Sequence, residues 1–490
     1  MDRRKLLTGG AALGASGCAS LPPLFSRSPA MDATRLAALI RSGEISALEA
    51  VDAAIARAQA AQPDLNFLVT AGFEQARDRA RSGSLTGPFA GVPFLIKDLN
   101  DYIGLPTRDG SRATAGVAAT TAQDGYMSAF DAAGLVVIGK SATPEMGFSA
   151  TTEPLAFGPT RNPWDLGRSS GGSSGGAAAA VAAGVTPVAH ANDGGGSIRM
   201  PASCCGLFGL KPSRGRQHRD RPSTSPIDYA VQHVMSRSVR DSAGLLAVTE
   251  ARTLPEGMSR LGYVTSATSR RLRVAVVRLS DRGLAPDADV DTGLTAAQTL
   301  LADMGHDLVE ARWPFPETFI DDFVTFWSSG ALRAYSRAQS ALGREPDDTV
   351  LEPFTLGLAA HARRTGSDGI RQAITRLQAQ AAAFNSWLAG YDAVVSPVLR
   401  TVPPQIGYLA PDVDYDTLVS RMNDFMGYTP IHNVSGAPAM SVPLHWSAGG
   451  LPVGIQVCAA PGQDRTLIEL AYSLEQARPW AHHRPAVWVG

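Results

Sequence analysis

Short, continuously apolar runs separated by helical stretches limit this chain to an α/β architecture. The run at 134–139 is apolar at every position between its two flanking glycines, which is typical of a strand buried on both faces. Further strand candidates are Thr186–His190, Arg273–Val277, Ala393–Val398, Ala439–Leu444 and Pro452–Cys458. Because these runs alternate with helical segments, we predict a central twisted mixed β-sheet flanked by helices on both faces.

Two segments predict helices with recognisable features. Ser46 and Glu49 have the spacing of a capping box, and the helix that begins there is expected to end before Pro63. The segment Ala177–Ala183 follows a Gly/Ser loop, and its small side chains suit close packing against a sheet.

The chain offers no clear internal boundary. It has 490 residues but no Pro/Gly/Ser linker and no repeat, so residues 31–490 are predicted to form a single domain. Within it, residues 316–390 are expected to form a helical insert that covers or borders the functional site.

Charge and hydropathy exclude several kinds of partner. The 44 basic and 45 acidic residues nearly cancel, which gives no electrostatic reason to expect nucleic acid or an anionic membrane. No run approaches the roughly 18 apolar residues of a membrane-spanning helix, so no transmembrane span is expected.

The first 30 residues resemble a targeting segment. Arg3 and Arg4 precede a weakly apolar stretch at 6–15, as in a twin-arginine export signal. The tetrapeptide that ends at Cys18 resembles a lipoprotein cleavage box. We therefore predict export, to the periplasm or to a lipid anchor at Cys18. The alternative is a cytoplasmic protein whose true start is Met31.

Cysteine usage and short motifs argue against a metal or a bound cofactor. Four cysteines are too few for a disulfide scaffold, and we expect Cys204, Cys205 and Cys458 to be small buried side chains. The sequence has no CxxC, HExxH, GxxxxGK[ST] or GxGxxG pattern in the required context, so we expect no metal and no cofactor.

Lysine is rare in this chain, and its positions are therefore informative. Among the 44 basic residues, the lysines are Lys5, Lys97, Lys140 and Lys211. A buried lysine can lose its proton, whereas arginine keeps its charge in proteins. Lys97 follows the apolar run at 92–96, where desolvation would favour the neutral amine.

Three consecutive glycines precede Ser197. Gly194, Gly195 and Gly196 leave a run of backbone N–H groups without side-chain cover, and such a run can bind an oxyanion. Ser197 is then placed as a nucleophile, which needs a base at neutral pH. From the residues alone, Lys97 and His190 both remain candidates for that base.

Several segments together resemble the amidase signature family. They are the Gly/Ser-rich stretch Gly171–Pro212, which matches the defining motif of the family, and the segments Gly91–Asp98, Gly139–Asn162 and Gly449–Gln456. The resemblance extends from about residue 32 to the end of the chain. It implies the amidase-signature fold and hydrolysis of a carboxylic amide C–N bond through an acyl-enzyme.

The resemblance also implies roles for individual residues. Lys97 would be the catalytic lysine, Ser173 the bridging serine after a cis peptide bond, and Ser197 the nucleophile. Ser174 fits the bridging role less well, because it lies 23 rather than 24 residues before the nucleophile. Asp193 and Arg199 would support the nucleophile loop. The oxyanion hole would consist of the backbone N–H groups of Gly194, Gly195, Gly196 and Ser197.

The choice of substrate is less constrained. Thr151–Pro154, Arg161–Trp164 and Ala189–Asp193 resemble the branch that contains 6-aminohexanoate-cyclic-dimer hydrolase, which favours linear or cyclic oligoamides. The expected partner is therefore a small-molecule amide, and a homodimer is left open. The alternatives are an amidotransferase subunit and an exported, non-catalytic binding lipoprotein on the same fold.

The aromatic side chains near the insert have two possible locations. They are Phe148, Phe323, Phe326, Trp327 and Tyr335. Each could line an apolar pocket or pack in the core, and the sequence does not decide between the two.

Overall fold

The computed structural model describes residues 31–219 and 223–490. The predicted export signal and the predicted lipidation of Cys18 lie outside the described residues. Within the described ranges, no helix combines the length and the apolar character needed to cross a lipid bilayer.

The strands of the described chain are short and mostly buried. They are β1 Leu68–Ala71, β2 Pro93–Lys97, β3 Val136–Ser141, β4 Arg161–Asn162, β5 Asp165–Ser169, β6 Val188–Asp193, β7 Phe208–Lys211, β8 Val231–Ser236, β9 Arg273–Val277, β10 Asp307–Ala311, β11 Ala393–Pro397, β12 Ala439–Trp446 and β13 Pro452–Cys458.

The helices lie between these strands along most of the chain. They are α1 Ala33–Ser42, α2 Ala47–Leu65, α3 Phe73–Arg81, α4 Gly125–Ala132, α5 Gly175–Ala182, α6 Arg199–Cys205, α7 Val239–Thr249, α8 Ala288–Asp303, α9 Phe319–Leu342, α10 Pro353–Leu388, α11 Tyr415–Met426, α12 Pro430–Ser435 and α13 Asp464–Ala477.

A mixed sheet of eight strands forms the centre of the fold. Its order is β10-β9-β11-β13-β12-β7-β8-β6. The pairs β10–β9 and β9–β11 are parallel and the remaining pairs are antiparallel. A three-stranded sheet, β1-β3-β2, lies beside it. The backbone N–H of Lys97 on β2 donates to His190 Nδ1 on β6 and so links the two sheets.

Helices cover both faces of the large sheet, as predicted. Successive side chains of a strand point to opposite faces. On β9, Val274 and Val276 belong to one apolar cluster with α7, α8 and α13. Ala275 and Val277 belong to another cluster with α9, α10 and α12. This alternation explains why the strand is apolar at nearly every position.

Most local predictions from the sequence are confirmed, with small shifts of boundary. Ser46 and Glu49 form the reciprocal capping box at the start of α2. The prediction that this helix ends before Pro63 is wrong, because the helix continues to Leu65. Pro63 lies in its last turn, where it removes a single hydrogen-bond donor, and Leu65 gains complete burial.

The insert predicted at residues 316–390 consists of two long helices. Helices α9 and α10 pack against each other, and α10 is interrupted at Gly366, whose φ of 69° leaves the helical region. Helix α5 is buried at every residue, so its small side chains do allow the close packing that was predicted.

Candidate active site

Lys97 lies at the end of β2 and is completely buried. Its Nζ is 2.6 Å from Ser173 Oγ and 2.7 Å from Asn192 Oδ1. Burial lowers the pKa of the Lys97 amine well below its ordinary value, and the charge of Asp193 opposes this effect only in part. The amine is therefore suited to be neutral and to accept a proton.

Ser173 and Ser174 precede α5 but have different partners. Ser173 follows a cis peptide bond with Gly172, and its Oγ is the hydroxyl that meets Lys97. The Ser174 hydroxyl donates to the backbone oxygen of Asn192 at 3.2 Å. Only Ser173 of this pair therefore contacts the lysine amine.

The three glycines before Ser197 lie very close to neighbouring side chains. A Cβ on Gly194 would lie 3.0 Å from the Tyr229 ring, and one on Gly195 would lie 3.1 Å from the Phe323 ring. Gly196 has a φ of 132°, and a Cβ there would overlap Thr429. Gly196 therefore has no room for a side chain, and Gly194 and Gly195 leave little room beside the aromatic rings.

The backbone N–H groups of this loop differ from the sequence prediction at one position. The N–H of Gly196 donates to Asp193 Oδ1 at 2.7 Å, so it is not free to meet a substrate. The N–H groups of Gly194, Gly195 and Ser197 find no acceptor anywhere in the described part of the chain. The carboxylate of Asp193, whose role the sequence left general, explains the difference.

Asp193 and Arg199 form a buried ion pair below the loop. Arg199 Nε is 3.0 Å from Asp193 Oδ2, and Nη2 is 3.0 Å from Oδ1. The guanidinium also donates to Thr429 O, Gln456 Oε1 and Asn433 Oδ1. Burial alone would raise the pKa of the Asp193 carboxyl, but Arg199 holds it below its usual range. The pair fixes both ends of the glycine run.

A cavity opens beside Ser197 and Gly195. Its walls are mainly aromatic, aliphatic and methionine side chains, contributed by the loop at 147–150 and by α6, α9, α10 and α11. Of the five aromatic residues singled out in the sequence, Phe148, Phe323 and Trp327 line the cavity. Phe326 and Tyr335 pack in the core instead.

Ser173 lies directly behind the cavity wall. Gly147 lines the cavity, and a Cβ on Gly147 would lie 3.2 Å from Ser173 Oγ. Ser197 lines the same cavity and is 5% exposed. The cavity therefore brings a serine hydroxyl and the Lys97–Ser173 pair to one place.

His190, the other candidate base, is engaged on both sides of its ring. Nδ1 accepts the backbone N–H of Lys97, and Nε2 donates to Gln232 Oε1 at 2.8 Å. Burial lowers the pKa of His190 to about 3. The ring thus supports β2 from below, and neither nitrogen is available to take a proton from Ser197.

Sequence reasoning assigned no role to Asn192, which contacts Lys97. Asn192 and His190 are two residues apart on β6, so their side chains point to the same side of the strand. Asn192 contacts the Lys97 amine, and His190 contacts the Lys97 backbone. This two-residue spacing can be read from the sequence. Thr429 and Asn433 are more than 200 residues from the loop they support, and no local pattern could have identified them.

The chain is similar to known proteins over most of its length. A family model described as Amidase matches residues 49–468. The chain is 42% identical to the "Putative amidase AmiC" of Mycobacterium tuberculosis, over 93% of this chain and 97% of that protein. It is 36% identical to the 6-aminohexanoate-cyclic-dimer hydrolase of Paenarthrobacter ureafaciens, over 93% and 96% of the two chains.

The fold of the chain is also similar to the folds of solved structures. A 6-aminohexanoate cyclic dimer hydrolase complexed with substrate superposes with a TM-score of 0.83 at 35% identity, covering 93% of this chain and 99% of that one. A bacterial aryl acylamidase superposes with a TM-score of 0.80 at 25% identity, covering 93% and 98%.

The chain belongs to the amidase family. It is a hydrolase of carbon–nitrogen bonds other than peptide bonds, and the family's reaction uses a serine nucleophile. The fold class and the amidase activity predicted from the sequence are both confirmed.

Proposed function

We propose that Lys97, Ser173 and Ser197 carry the hydrolysis of the amide. Ser197 Oγ attacks the carbonyl carbon while its proton passes to Ser173, whose own proton passes to the neutral Lys97 amine. The resulting ammonium returns a proton by the same path to the departing amine nitrogen. Water then attacks the acyl ester with the same relay and restores Ser197. The observation that carries this proposal is the 2.6 Å contact between Lys97 Nζ and Ser173 Oγ in a completely buried setting.

The oxyanion of the tetrahedral intermediate is assigned to three backbone N–H groups, those of Gly194, Gly195 and Ser197. The Gly196 N–H is left out of this set because Asp193 already accepts it. Asp193 and Arg199 act as supports, since their contacts fix the loop and do not reach the cavity lining. Such preorganised donors stabilise developing charge without reorganising during the reaction.

The proposed substrates are linear or cyclic oligoamides. Support comes from the apolar cavity beside Ser197 and from the similarity to proteins named for a cyclic amide dimer. The test is a panel of linear amides, cyclic amides, aryl anilides and carbamates, assayed for release of the amine. Hydrolysis of carbamates alone would contradict the proposal.

Asn192 is proposed to orient the neutral amine of Lys97. Its Oδ1 accepts one N–H, which leaves the lone pair of Nζ to face Ser173. Asn192→Asp would put a carboxylate against the amine and stabilise the ammonium form, so the pKa of Lys97 should rise. Since only the neutral amine is active, the acid limb of the kcat/KM profile should move to higher pH.

Asn192→Ser is the matched control for that experiment, because it keeps a neutral acceptor. Its acid limb should stay close to that of the parent enzyme even if kcat falls. An acid limb for Asn192→Asp that coincides with the parent profile would contradict the assignment of the limb to Lys97.

Export of the enzyme is also proposed, on the twin-arginine pattern at Arg3 and Arg4. Arg3→Lys combined with Arg4→Lys should retain the protein in the cytoplasm of its native host, as measured by cell fractionation. Unchanged fractionation would favour Met31 as the start. Palmitate labelling tests Cys18 separately, and sedimentation velocity tests the homodimer.

A further inference from the structure

The cavity beside Ser197 has no charged side chain in its lining. Its polar side chains are those of Ser149, Ser197 and Asn423. Ser197 belongs to the proposed chemistry, and Ser149 Oγ already accepts the backbone N–H of Thr151 at 3.3 Å. Among these three residues, Asn423 is therefore the one that has neither a role in the proposed chemistry nor a hydrogen bond within the described part of the protein.

Asn423 lies on α11 among apolar neighbours. Val419, Met422 and Met426 occupy the positions four before, one before and three after it, and all three line the cavity. Asn423 is 9% exposed, and its carboxamide makes no hydrogen bond with any residue in the described ranges. The polar atoms of this carboxamide are not among the solvent-excluded atoms without a partner, so they face the cavity space, where a ligand can reach them. A bound molecule that supplied the missing partner would therefore gain affinity here.

We propose that Asn423 is a specificity-determining residue that hydrogen-bonds a second, uncharged amide of the substrate. This inference rests on the proposed function. A carboxamide offers one acceptor and two donors, so it can pair with both the C=O and the N–H of a secondary amide. Because most of the side chains that line this cavity are apolar, the two amides of the substrate are joined by an apolar segment.

The same cavity disfavours a charged group in place of the second amide. An ammonium or a carboxylate would lose its hydration without meeting a side chain of opposite charge in the lining. The substrate class is therefore a neutral diamide or oligoamide with an alkyl or aryl spacer.

The test compares substrates that differ only in the second amide. In the acyl series, the anilide of N-acetyl-6-aminohexanoic acid is compared with the anilide of nonanoic acid, which has the same chain length. In the amine series, N,N′-diacetyl-1,6-diaminohexane is compared with N-acetylnonylamine. The quantity measured is the ratio of kcat/KM for the diamide to kcat/KM for its monoamide.

Asn423→Leu should lower this ratio by about 10-fold in the series whose second amide enters the cavity. Asn423→Ala should lower it in the same direction, which separates the loss of the hydrogen bond from the added bulk of leucine. Ser420→Ala is the matched control on the same helix, and its ratio should stay at the parent value because Ser420 is exposed and does not line the cavity.

If both Asn423→Leu and Asn423→Ala still turn over substrate and leave the ratio unchanged in both series, the inference is wrong. The proposed function is not affected by that result. Failure of the parent enzyme to hydrolyse any of the four compounds, or the panel above, contradicts the proposed function on which the inference rests.

Discussion

Lys97→Ala should lose amide hydrolysis by about 10²–10⁴-fold, because the relay then has no group to take the proton from Ser173. Lys97→Arg should fare no better, since a guanidinium keeps its proton at any working pH. The measurement is kcat/KM for an anilide across pH, with the melting temperature recorded for each variant to confirm that the fold is retained.

The pH profile separates this mechanism from a merely structural role of the lysine. In the parent enzyme, kcat/KM should rise with pH as Lys97 loses its proton, and burial puts that step well below the ordinary pKa of a lysine. The residual activity of Lys97→Ala should lack this limb. Near-normal turnover of Lys97→Arg would contradict the neutral-lysine mechanism.

Arg199→Leu should destabilise the protein by about 3–5 kcal/mol, because it leaves the Asp193 carboxylate buried without its counter-charge. The two residues are completely buried, so water cannot replace the missing guanidinium. Denaturant unfolding measures the free energy of unfolding. Because the glycine loop loses its support, amide hydrolysis should fall together with stability.

Arg270→Leu is the matched control for that loss. Arg270 pairs with Asp392 at 3.0 Å, but its side chain is 62% exposed, so water screens and replaces the interaction. Its unfolding midpoint should stay near that of the parent protein. Equal destabilisation by the two substitutions would show that the buried pair has no special part in holding the loop.

Contiguous features of the site could be predicted from the sequence. Ser197 and its three glycines are neighbours in the chain, and the apolar run before Lys97 signals a buried strand. The scarcity of lysine was also informative, because Lys97, Lys140 and Lys211 are all completely buried. In each case one local segment carries the physical signal.

Features that depend on distant segments could not be predicted. The engagement of the Gly196 N–H by Asp193 depends on the rotamer of one carboxylate, which Arg199 fixes. The place of the Asn423 amide beside the site follows only once α11 and the nucleophile loop line one cavity. The pattern of apolar residues along a helix predicts neither the Asp193–Gly196 hydrogen bond nor the position of Asn423, because both arise from packing between elements.

The central claim is that Ser197 is the nucleophile, and active-site labelling tests it most directly. The protein is incubated with a fluorophosphonate, digested and mapped by mass spectrometry, with Lys97→Ala treated in parallel. The account predicts one stoichiometric adduct on the Ser197 peptide and much slower labelling of Lys97→Ala. An adduct on Ser173 or Ser174, with Ser197 unmodified, would contradict it.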